Sequence, residues 1–68
     1  MGRNMMFTAA QKLACAKREL TMRRRVYPNW VNQGRMTQEE ANHEVAVMAD
    51  IVEDYRAKAE PSLFTEKT

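Results

Sequence analysis

The sequence predicts an all-α protein: an antiparallel helical hairpin with a short extra turn in the connection, dimerising into a four-helix bundle. Three observations carry this. Between Thr37 and Glu60, apolar residues recur at alternating spacings of four and three: Ala41, Val45, Met48, Val52, Tyr55 and Ala59. That pattern puts one stripe on one face of a helix. A second stripe, Ala9, Leu13, Ala16, Leu20 and Tyr27, lies upstream, with Met6 extending it backward. The two are joined by a segment so short that the helices must fold back on each other.

Each element has its own local signals. Met1 to Phe7 reads as a frayed arm. Thr8 with Gln11 is a capping-box pair, in which each side chain satisfies the other residue's orphan backbone amide. A helix over about 8–26 follows. Tyr27-Pro28 is expected to break it, because proline disfavours helical geometry at the preceding residue. Residues 28–33 then form one separate turn, starting on Pro28 and closed by Gly34 in a left-handed cap. Thr37 with Glu40 is a second capping box, and Met36 before it can pack on Ala41 as a staple. The long helix covers about 38–60, where Pro61 stops it. The tail 61–68 holds Leu63 and Phe64 but no periodicity and is read as loose.

The antiparallel fold-back sets the pairing. Tyr27 falls near Ala41, Leu20 near Met48, Ala16 near Val52, Leu13 near Tyr55, and Arg24 near Glu44. Trp30 either plugs the closed end of the hairpin or stands out as a partner's anchor, since tryptophan is enriched at binding hot spots.

Sixty-eight residues make a single domain. A chain of this size buries only roughly 60% of its unfolded surface, so its core is marginal. Such scaffolds are usually held by a disulfide, a metal or an oligomer. Cys15 is the one cysteine and His43 the one histidine, so no internal disulfide forms and no metal or other cofactor is expected. Oligomerisation remains. The surplus apolar residues agree: Val47 and Ile51 widen the face of the second helix, and Cys15, Met22 and Val26 form a second patch on the first. Trp30, Val47, Ile51, Met22 and Val26 are therefore the candidate interaction surface of a homodimer and of a further protein partner. No apolar run reaches the roughly 18 residues of a membrane span, and no targeting segment is recognisable, which leads to an expected cytoplasmic location.

The net charge of +2 conceals an asymmetry. Residues 1–34 hold seven Lys and Arg against Glu19 alone, and residues 35–68 hold four against eight Asp and Glu. Arg23-Arg24-Arg25 has two readings. With Lys17 and Arg18 it is a phosphate-binding patch of a nucleic-acid-binding regulator. Alternatively, it is the basic half of an ion-pair set with Glu39, Glu40 and Glu44 at the facing helix start, where each exposed pair contributes only about 0–1 kcal/mol. The second reading is preferred, because most of the acids lie on the facing helix.

No catalytic residues are assigned and no enzyme is expected. His43-Glu44 begins a zinc-protease motif, but Val47 stands where the second histidine is required. Cys15 has no nearby base, since His43 lies toward the opposite end of the hairpin, and it is read as a packing residue.

Cys15, Arg18-Glu19-Leu20, Arg23-Arg24-Arg25, Val26-Tyr27-Pro28, Trp30-Val31, Gly34-Arg35-Met36-Thr37, Glu44, Met48, Ile51 and Asp54-Tyr55 together resemble a family of small helical-hairpin proteins. That family is encoded in phages and prophages of Gram-negative bacteria, and the likeness spans residues 11–57. It implies a phage or prophage setting and a cytosolic site of action, and it carries over no activity and no functional residue. The expected function is a small accessory or protein-interaction module modulating a host or phage protein, with the nucleic-acid-binding regulator as the alternative.

Overall fold

The computed structural model describes residues 6–59, and within them it shows two helices: α1, Ala9–Asn32, and α2, Gln38–Ala59. Both expected capping boxes form. The Thr8 amide donates to Gln11 Oε1 at 2.8 Å, and the Gln11 amide donates to Thr8 Oγ1 at 3.0 Å. At the start of α2, the Thr37 amide donates to Glu40 Oε1 at 2.9 Å and the Glu40 amide to Thr37 Oγ1 at 3.0 Å. Four amides that a helix start leaves without partners are thereby satisfied.

The helices run antiparallel. Lys12 lies over the Tyr55 ring, 5.9 Å from its centroid, while Arg23 bonds to Glu44, so later positions on α1 meet earlier ones on α2. The core is the one the two stripes imply. Leu13, Ala16, Leu20, Met48 and Val52 are buried together, with Val45, Tyr55 and Ala59 packed against them. Ala41 is buried nearer the closed end. Removing this apolar surface from water is the main force holding two otherwise marginal helices together. The stripe does not extend backward to Met6, which is 82% exposed and precedes the first helical residue. Residues 1–5 of the expected arm at 1–7, and the segment from Glu60 onward, the tail 61–68 included, lie outside the described residues.

The expected break at Tyr27-Pro28 does not occur: α1 runs through Pro28 to Asn32. Proline removes one amide, the donor that would meet the Arg24 carbonyl, and its fixed φ is itself helical. The following turn is pinned well enough to absorb that loss. The Tyr27 and Trp30 rings pack with centroids 5.5 Å apart, and the Arg35 guanidinium lies over Trp30 at 5.0 Å. The end is then closed by a Schellman motif. The Gly34 amide donates to the Val31 carbonyl at 3.0 Å and the Arg35 amide to the Trp30 carbonyl at 2.9 Å, with Gly34 at φ 75° as expected from its sequence position.

A direct consequence follows for Pro28. It is exposed, and Pro28→Ala gives the Arg24 carbonyl back its donor. Interior proline costs a helix about 3 kcal/mol, part of which is offset by the rigidity it gives the unfolded chain. Pro28→Ala is therefore expected to raise stability by about 1–2 kcal/mol in a thermal or urea melt. A lowered melting temperature would show that the helix needs the proline at this point.

Candidate interaction surfaces

The closed end of the hairpin carries most of its charge chemistry, centred on Arg23. Its Nε donates to Glu19 Oε2 at 2.9 Å, one turn earlier on α1. Its Nη1 donates to the Glu44 carbonyl at 3.0 Å and lies 3.5 Å from Glu44 Oε1. One guanidinium thus ties α1 to the backbone and the side chain of α2. The hydrogen bond that Arg23 donates to the Glu19 carboxylate raises the Arg23 pKa above its ordinary value. Desolvation opposes that, and the nearby Tyr27, Glu19 and Glu44 add to it.

The cross-helix partner of Glu44 is therefore Arg23, and the expected Arg24–Glu44 pair is displaced by one residue. The seam explains the shift. From Leu13 the stripe facing α2 steps three, four and then three residues, through the buried Ala16 and Leu20 to the partly buried Arg23, whereas Arg24, a four-step, is exposed at the edge of the helix contact. Arg24 and Arg25 are both exposed, as are Lys17 and Arg18, and none of the four makes a salt bridge among the described residues. Of the arginine run, only Arg23 serves the hairpin. Glu39 and Glu40, read as ion-pair partners, are likewise exposed, and Glu40 is used instead in its capping box.

Arg24 borders a groove of about 370 Å³ between the helices. Its floor is Tyr27, Pro28, Ala41, Val45, Ala46 and Ala49, and Arg23, Arg24, Gln38 and Asn42 form its polar rim. Gln38 Nε2 donates to Asn42 Oδ1 at 2.9 Å along that rim. The sequence reading passed over Asn42, Ala46 and Ala49. The signal for them was present in their spacing of four and three on the flank of the α2 stripe. At the open end, Phe7 and Lys58 join Lys12 around Tyr55, with the Lys58 ammonium 5.4 Å from the ring centroid.

The five expected surface residues fall into two groups. Met22 and Val47 are 48% and 42% exposed, the two large hydrophobic side chains that the described helices leave in solvent. Val26 and Ile51 are half-buried beside them. Trp30 is half-buried, with the Arg35 guanidinium over its ring and Tyr27 beside it. Cys15 is exposed and is not a packing residue of the hairpin core. His43 is exposed, as its position away from the stripe implies. Among the described residues no three His, Cys, Asp or Glu side chains gather as a metal site, and no helix is long and apolar enough to cross a membrane.

Compared with known protein families, curated proteins and solved structures, the chain matches none.

Proposed function

We propose that this hairpin is a small accessory protein that works by binding other protein chains, first a second copy of itself, in the cytoplasm of a phage- or prophage-carrying bacterium. The observation that carries this reading is the pair Met22 and Val47. A two-helix core of so few residues can ill leave large apolar side chains in water, yet it holds these two out on the helices. Covering them in a four-helix homodimer removes that surface and adds the core the monomer lacks. The resemblance noted in the sequence supports the phage setting. On this reading the function is binding and the modulation of a host or phage protein.

A nucleic-acid-binding regulator is the second reading, and one observation favours it. Lys17, Arg18, Arg24 and Arg25 are exposed and are engaged by no carboxylate of the hairpin among the described residues. The two readings separate on salt. A protein placing these four cations on phosphates loses DNA affinity with a log–log slope of about −3.6 in salt. The expected result is weak retention on duplex DNA, lost by about 150 mM salt and indifferent to sequence. Tight retention at that salt, abolished by Arg24→Glu with Arg25→Glu, would transfer the function to nucleic acid.

A further inference from the structure

We infer that two copies pair isologously through one broad face of the hairpin, the face of Val26, Val47 and Ile51, about a two-fold axis parallel to the helices. This rests on the dimeric reading above and adds which surfaces meet.

The hairpin is two helices wide and has two broad faces, which the contacts across the seam tell apart. On one face Arg23 meets Glu44, and Lys12 and Lys58 border one hollow beside Tyr55. On the other, Arg24 and Pro28 line the groove with Gln38, Asn42 and Ala49. A turn of about 100° per residue then places Cys15, Glu19 and Val26 on the Arg23 side of α1, and Val47 and Ile51 on the Glu44 side of α2, with Met22 at the outer rim. Val26 and Ile51 are half-buried there and Val47 is 42% exposed, so this face holds branched apolar side chains that the seam does not cover. The groove face is floored largely by alanines, Ala41, Ala46 and Ala49. The apolar residues of the first face come from both helices, so its cover must also be two helices wide. A second copy laid on it covers a patch about 33 Å long and about 20 Å across, roughly 650 Å² of each copy and near the ~800 Å² per partner of a stable interface.

Charge selects the symmetry. In a face-to-face pair, an axis parallel to the helices lays each α1 antiparallel across the other copy's α2 and preserves height along the bundle. Arg23 and Glu44 lie level with each other and lean toward the seam, over which this axis runs. Arg23 of each copy therefore comes over Glu44 of the other, and four charges alternate in sign around the axis. An axis across the helices at the same level would set Arg23 on Arg23 and Glu44 on Glu44. With Arg23 level with Glu44 and Lys12 level with Tyr55, the register of the other positions follows at 1.5 Å per residue. Val47 of one copy falls between Glu19 and Met22 of the other, and Ile51 between Cys15 and Glu19. Met22 and Val47, both left in water by the single hairpin, then cover each other across the interface.

The test is sedimentation velocity on the full chain, comparing wild type with Val47→Glu on this face and Ala46→Glu on the groove side. Both positions are exposed, and helical circular dichroism confirms that each variant stays folded. Val47→Glu should weaken dimerisation at least about tenfold, since it enters the symmetric contact twice, and Ala46→Glu should leave it unchanged. The axis is read by cross-linking. Wild type mixed under mild oxidation with a Cys15→Ser, Ile51→Cys protein should form the mixed disulfide in preference to either self-linked species. A dimeric wild type that Val47→Glu leaves intact would overturn the choice of face, and one that gives no preferred mixed disulfide would overturn the axis. Either result leaves the dimer standing. A monomeric wild type would overturn both the dimer and its geometry.

Discussion

Met48→Asp unfolds this protein at room temperature, whereas His43→Ala leaves the melting temperature unchanged. Met48 is 8% exposed at the middle of the α2 stripe, packed with Leu20, Ala16 and Val52. Aspartate there loses the methionine's packing, which in cores is about 2–5 kcal/mol, and buries a carboxylate that no cation is placed to meet, at a cost of several more. A domain of this length has roughly 3–10 kcal/mol of stability in all. His43 is exposed on the same helix, and surface changes of that kind stay within about 0.5 kcal/mol. Circular dichroism melts of the two variants decide the matter, and equal melting temperatures would refute the assignment of faces on α2.

The second large effect is expected at Arg23 and not at its neighbour. Arg23→Glu removes the bond to Glu19, the pair with Glu44 and the bond to the Glu44 carbonyl, and it sets three carboxylates side by side. Glu19 and Glu44 remain 41% and 47% exposed, so solvent screens each pair and the summed loss is about 1–2 kcal/mol. In a domain of this size that lowers the melting temperature by roughly 5–15 °C. Adding Glu44→Arg restores the pair with its sign exchanged. The coupling should be about 0.5–1 kcal/mol and should shrink in high salt. Arg24→Glu, one residue on, should change the melting temperature little. A four-variant melt at low and high salt, with Arg24→Glu beside it, checks this. The seam assignment fails if Arg24→Glu is the destabilising change and Arg23→Glu is tolerated.

That one-residue difference shows how far the sequence could be read. Thr8 with Gln11, Thr37 with Glu40 and the left-handed Gly34 are local signals, complete within a few residues, and all three form as expected. The six positions buried below a tenth, Leu13, Ala16, Leu20, Ala41, Met48 and Val52, were all on the two expected stripes. Where tertiary context decides, the reading slipped. Proline's local preference argued for a break at Tyr27-Pro28, but Tyr27, Trp30, Arg35 and the cap at Gly34 hold the turn in helical geometry. Assigning Arg24 to Glu44 took a four-step after Leu20, and only the facing helix shows that the step is three. The site is less legible than the fold for the same reason. The surplus hydrophobicity of Met22 and Val47 is visible in sequence, while the groove beneath Arg24 requires knowing how the helix flanks converge.

The claim that the hairpin completes itself by pairing with a second copy meets its most direct test in the concentration dependence of unfolding. When folding and dimerisation are coupled, raising protein concentration from about 5 to about 500 µM stabilises the native state by roughly 2.7 kcal/mol through mass action. Thermal melts across that range should show the midpoint rising by about 10 °C or more. A midpoint that stays constant over the whole range, with full helical signal at the lowest concentration, would mean that the monomer is stable alone and would contradict this account.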